Sequence, residues 1–125
     1  MIVVDTSAIL ANLFREPGGE AVLDHLSDAA ISSVNLAEIV TKLCENGWSV
    51  ADAVAAVEIY GVKTVDFDAE LAIEAGALRM ATRRHGLSLG DRACLALARR
   101  AGATALTAER RWAELEIDVK IELIR

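Results

Sequence analysis

The segment MIVVDTSAILANLF (residues 1–14) changes its hydrophobic period in the middle. Ile2, Val3 and Val4 form an unbroken β-branched run, the pattern of a strand covered on both faces, and Asp5 ends it. From Thr6 the apolar residues return at helical spacing, and the helix stops before Pro17. The same alternation continues downstream. A helix opens at Gly18–Gly19 and runs to about Ala29, Ala30 and Ile31 form a minimal strand, and Ser32 or Ser33 caps a helix reaching Asn46. Ser49 caps the next helix, VKTV (62–65) is a strand, and Asp66 or Asp68 opens a long helix to Arg84. Ser88 starts a helix that Gly102 ends, ATAL (103–106) is a strand, residues 109–114 a short helix, and DVKIELI (118–124) a last strand. Strands alternating with helices predict an α/β sandwich around a mostly parallel sheet. In such sheets ligands gather beyond the carboxyl ends of the strands, which places Asp5 and the stretch Thr107–Glu109 at one crevice, with Asp91 and Glu38 early in nearby helices.

A chain of 125 residues fits one domain, 1–125, with a core of its own. Apolar residues make up 54% and mean hydropathy is +0.34, yet no apolar run approaches the roughly 20 residues a bilayer requires. The opening stretch carries an acid and no basic leader, so neither a signal peptide nor a membrane anchor is expected. Cys44 and Cys94 stand alone, which suits a reducing cytoplasm and predicts neither a disulfide nor zinc. The net charge of −6 is unevenly placed, with −10 over residues 1–78, +6 over 79–111 and −2 over 112–125. The middle segment holds eight arginines; Arg83, Arg84 and Arg110 are candidates for phosphate contact, against solvated helix faces as the plain alternative.

Three acids draw attention. Asp5, at a strand–helix junction, suits either a helix cap or a metal ligand. A dehalogenase-type phosphatase would need an aspartate two places on, where Ser7 stands, and a receiver domain an acidic pair that Met1–Val4 lacks. Asp91 in SLGDRACLALA forms a capping-box pattern with Ser88, ahead of a helix apolar nearly all round, so its place is the rim of the core. Glu38 projects opposite the stripe of Leu36, Ile39, Val40 and Leu43, so periodicity alone reads it as a surface glutamate. His25 and His85 have no partner pattern and read as surface residues.

Taken together, VVDTSA, SSVNLAEIVTKL, LSLGDRACLALA and LTAERRWAEL resemble, in order and at the right intervals, the motifs of PIN-domain nucleases. The nearest likeness is to the toxins of VapBC-type toxin–antitoxin pairs. The resemblance implies a three-layer α/β/α fold and a site made of Asp5, Glu38, Asp91 and Glu109, with Thr6, Ser7 and Thr107 as supporting hydroxyls. Asp5 and Asp91 are the implied metal ligands, for Mg²⁺ or Mn²⁺ in its place, and RNA the implied substrate, cut by water activated on the metal. A cognate antitoxin and a homodimer are the implied partners; the alanine- and valine-rich stretch 49–62 offers the dimer an apolar surface. Glu109 stands where the family usually has aspartate, and its extra methylene suits contact through a water or through charge alone. Trp112 reads as a core anchor. Two other readings compete: a PIN-type RNA-processing nuclease without an antitoxin, and a module that binds RNA or protein without cutting.

Overall fold

The computed structural model describes every residue from Met1 to Arg125. Five strands, β1 (Ile2–Val4), β2 (Ala29–Ser32), β3 (Lys63–Val65), β4 (Thr104–Thr107) and β5 (Ile121–Leu123), form one sheet in the order β3-β2-β1-β4-β5. Every neighbouring pair is parallel. Six α-helices connect them: α1 (Thr6–Leu13), α2 (Ser33–Glu45), α3 (Val50–Ile59), α4 (Ala69–Ala77), α5 (Arg79–Thr82) and α6 (Leu89–Ala101). Three 3₁₀ segments, Gly19–Asp28, Arg83–His85 and Arg110–Glu114, complete the chain.

Adjacent residues of the central strands feed opposite layers, as the pleat requires. Val3 and Ala105 join Leu71, Ala75, Leu95 and Trp112 in a core under α4 and α6, whereas Val4 and Leu106 join Ile9, Val22, Ile39 and Leu43 under α1 and α2. The result is a three-layer α/β/α sandwich whose central strands are covered on both faces, which is why IVV carries no polar alternation. α6 buries Ala93 through Ala98 continuously, and its last turn ends at Gly102 in the left-handed conformation (φ 61°) that glycine adopts without steric cost.

The chain runs from β1 outward through β2 to β3, then returns to the other side of β1 as β4. That reversal opens a crevice beyond the carboxyl ends of β1 and β4. Register puts Val4 opposite Leu106, so Asp5 and Thr107 emerge side by side, and the Asp5 amide donates to Leu106 O at 2.9 Å.

Two helices differ from expectation. The long helix expected up to Arg84 breaks at Leu78 into α4, α5 and a 3₁₀ turn. Thr82 Oγ1 donates back to Leu78 O at 2.8 Å, a bond that bends helices at threonine. Gly19–Asp28 winds as a 3₁₀ rather than an α-helix; its two buried residues, Gly19 and Val22, stand three apart, the period of that turn. No helix is long and apolar enough to cross a membrane. Cys44 and Cys94 are free thiols.

Candidate active site

Asp5 occupies the N-cap position of α1 but its side chain makes no capping bond. The carboxylate instead turns across the crevice: Ser7 Oγ donates to its Oδ2 at 2.6 Å and Thr107 Oγ1 to the same atom at 2.9 Å. The Ala108 amide donates to Ser7 Oγ and the Glu109 amide to Thr107 Oγ1, both at 3.0 Å, so each hydroxyl oxygen is already an acceptor while its proton is within reach of Asp5, and the two hydroxyl oxygens lie 3.2 Å from each other. Asp5 Oδ1 is left without a protein donor. The residue is only 2% exposed, and burial pushes its carboxyl up to about 6, against the two hydroxyl bonds that favour the charged form. The charges of Asp91 and Glu38 push in the same direction as burial.

Glu38 is half-buried beside the amino end of α6, not on an open face. The buried line of α2 runs through Asn35, Ile39 and Leu43, while Leu36 and Val40 are only partly covered. The core stripe is therefore rotated toward Glu38 relative to the one periodicity suggests, and α6 packs over that side. Thr6 Oγ1 donates to Glu38 Oε1 at 2.6 Å, and Asn35 Nδ2 donates to the same oxygen at 2.9 Å. The Glu38 carboxylate lies directly over Gly90, where any Cβ would collide with it.

Asn35 is the residue that sequence reasoning missed. It is fully buried, and its Nδ2 also donates to Gly90 O at 3.0 Å, tying α2 to the first turn of α6. Both Nδ2 partners are acceptors, which fixes the orientation of the amide, and Oδ1 is left buried with no partner. A polar side chain in line with Ile39 and Leu43 on a buried stripe was the available signal.

Asp91 closes the capping box with Ser88: its Oδ2 accepts from the Ser88 amide at 2.9 Å while Ser88 Oγ accepts from the Asp91 amide at 3.2 Å. Its side chain is 15% exposed, at the rim of the core. Capping engages only Oδ2, so Asp91 combines the structural role with an uncommitted Oδ1. Asp5, Thr6, Ser7, Glu38, Asp91 and Glu109 line one cleft of about 230 Å³. Beneath it, burial and the charges of Asp5, Asp91 and Glu38 hold the Cys94 thiol well above its ordinary range, so it stays protonated and inert.

As they stand, no three histidine, cysteine or carboxylate side chains are close enough together to hold a metal ion. Each of the three carboxylates is anchored through one oxygen and leaves the other free, at Asp5 Oδ1, Glu38 Oε2 and Asp91 Oδ1. That donor set fits Mg²⁺, which takes hard oxygens and typically only one or two protein carboxylates, keeping waters elsewhere. At about 30 Å³ per water, the cleft of about 230 Å³ has room for such a hydrated ion.

Arg83, Arg84 and Arg110 are exposed and their side chains have neither an ion pair nor a hydrogen bond, whereas Arg79, Arg92, Arg99 and Arg100 are each engaged within the fold. His25 and His85 pair with Glu122 and Glu114, outside the acid cleft. Trp112 is fully buried under α6, an anchor for the last 3₁₀ turn.

A family model described as the PIN domain matches residues 2–118. No curated protein matches the chain. Among solved structures, the chain is similar to a toxin–antitoxin complex from Klebsiella pneumoniae (TM-score 0.77, 16% identity, 100% of this chain and 98% of that chain). It is also similar to VapBC2 from Rickettsia felis bound to a DNA fragment from their promoter (0.72, 21%, 98% of each chain). A third likeness is to VapC20 from Mycobacterium tuberculosis, a sarcin–ricin loop cleaving toxin (0.74, 23%, 96% of this chain and 99% of that chain). At these identities the structural likeness speaks for the fold.

Proposed function

The chain belongs to the PIN domain family, and on that premise we propose that it is a Mg²⁺-dependent ribonuclease, a single nuclease domain over 1–125, acting as the toxin of a toxin–antitoxin pair. The observation that carries the reading is the cleft lined by Asp5, Glu38, Asp91 and Glu109, in which three buried or half-buried carboxylates each keep one oxygen uncommitted. Grouping like charges around a desolvated aspartate opposes folding unless a cation is taken up, which a purely structural cluster does not explain. The toxin assignment draws support from the neighbours, one of which is a toxin–antitoxin complex and another a sarcin–ricin loop cleaving toxin.

In this account Asp5 and Asp91 hold the divalent ion, Mg²⁺ or Mn²⁺ in its place. Once bound, the ion neutralises phosphodiester charge and lowers the pKa of an attached water. Ser7 and Thr107 fix the Asp5 carboxylate through Oδ2, so that Oδ1 faces its task already oriented. Thr6 and Asn35 fix Glu38 through Oε1, and Oε2 accepts the proton released by the attacking water. Glu109, more exposed at 42%, adds negative charge at the mouth of the cleft. Arg83, Arg84 and Arg110 meet the phosphates of the RNA backbone. The antitoxin is a second protein partner, and a homodimer forms through residues 49–62, where Val50, Val54 and Ile59 remain exposed.

The test is cleavage of a single-stranded RNA by the purified protein in Mg²⁺, in Mn²⁺ and in excess EDTA. Cleavage in both metals and none in EDTA is the expected result. RNA binding without cleavage in any metal would replace the nuclease by a binding module.

A further inference from the structure

Arg111 alone among the arginines reaches the acids of the cleft. Its Nη2 lies 4.0 Å from Asp91 Oδ2 and its Nε 3.9 Å from Glu109 Oε2. The position follows from the 3₁₀ turn Arg110–Glu114. Trp112 is fully buried and seats the turn, and successive residues of such a turn point about 120° apart, so Arg110 and Arg111 face different ways. Arg110 has no partner, whereas Arg111 lies along Gly86, where an added Cβ would sit 3.8 Å from Nη1. Gly86 is left-handed (φ 64°) and contributes no side chain to crowd the guanidinium.

We propose that Arg111 is the resident counter-ion of the metal-free site, and that a divalent cation displaces its guanidinium when it binds. This rests on the metal-dependent reading above. Both contacts are longer than a direct hydrogen bond, and the side chain is 47% exposed, so the guanidinium is held by charge and is free to swing outward. A divalent ion on Asp91 would stand within a few ångströms of it, and like charges at that separation exclude each other. Arg111 thus offsets part of the charge of Asp91 and Glu109 without metal and raises the metal concentration needed to load the cleft.

The experiment is Mg²⁺ and Mn²⁺ binding by calorimetry, without RNA, for wild type, Arg111→Gln, Arg111→Lys and Asp91→Asn, each checked for folding by circular dichroism. Arg111→Gln should bind metal about two- to fivefold more tightly, the scale of partly exposed ion pairs. Arg111→Lys, which keeps the charge, should stay near wild type, and Asp91→Asn should lose most of the affinity. The advantage of Arg111→Gln should shrink as salt screens the pair. Equal or weaker binding by Arg111→Gln, with wild type binding and Asp91→Asn impaired, overturns the counter-ion role and leaves the nuclease reading standing. Absence of binding in wild type overturns both.

Discussion

Replacing Asp5 by asparagine removes a charge from a position where burial already pushes the carboxyl from 3.8 up to about 6. Because its pKa is higher folded than unfolded, the native state holds the proton more tightly. Its favourable contribution is complete below pH ~4 and is lost as pH rises through about 6. The full excursion is worth about 3 kcal/mol, from 1.36 kcal/mol per pH unit between the two values. Asparagine keeps an acceptor for Ser7 and Thr107 but brings an amide donor to the place of Oδ1, at a cost of roughly 1–3 kcal/mol. The amide cost is independent of pH, so the robust quantity is the change in the stability difference. In EDTA, Asp5→Asn should gain about 2.4 kcal/mol on wild type between pH 4 and pH 7.5, most of the full excursion. At about 4 °C per kcal/mol, thermal unfolding followed by circular dichroism resolves this readily. Adding Mg²⁺ at pH 7.5 should stabilise the wild type by about 2.7 kcal/mol at a hundredfold excess over Kd and leave the variant unmoved. A stability difference that stays flat from pH 4 to 7.5, or equal stabilisation of both proteins by Mg²⁺, would rule out a buried, metal-binding carboxylate at position 5.

Three further outcomes follow from the geometry. Asn35→Ala should fold but lower cleavage by about 10–100-fold with a weaker effect on RNA binding, since it removes one of the two donors that hold Glu38 Oε1 and leaves the Gly90 carbonyl unpaired; single-turnover rates alongside binding isotherms check it. Alanine at Arg83, Arg84 and Arg110 together should weaken RNA binding and flatten its salt dependence by about 0.7 log units per lost phosphate contact, and an unchanged slope assigns them to solubility. Glu109→Asp should keep or raise activity while Glu109→Gln costs less than Asp5→Asn across a Mg²⁺ titration; a Gln variant as inactive as Asp5→Asn would make Glu109 a direct ligand.

Local physics was legible in the chain and long-range pairing was not. The strand at Ile2–Val4, the caps at Ser49 and Ser88 and the left-handed stop at Gly102 each depend on neighbours within four residues, and each stands where the residues put it. Asp5 shows the limit: its local context fits a cap, but its bonds run to Ser7 and to Thr107, 102 residues away, once β1 and β4 pair. The cap made by Asp91 was readable because both partners of the box lie within one helix end. Glu38 was misread by periodicity because a helix packed on two sides, by the sheet and by α6, has a wider buried arc than one apolar stripe reveals. Asn35 escaped for the same reason, since its partners are Glu38 one turn on and a carbonyl 55 residues away.

On the proposed reading, the free oxygens of Asp5 and Asp91 hold a metal whose water cuts RNA. The most direct test is single-turnover cleavage of one short single-stranded RNA across a Mg²⁺ series, with wild type, Asp5→Asn and Asp91→Asn compared at pH 7.5, where all three should be folded. Metal contributes several kcal/mol to such reactions, so each variant should lose on the order of 100-fold or more at saturating Mg²⁺, while still binding the RNA. Wild-type rates in either folded variant, or wild-type cleavage that persists in EDTA, would contradict the claim.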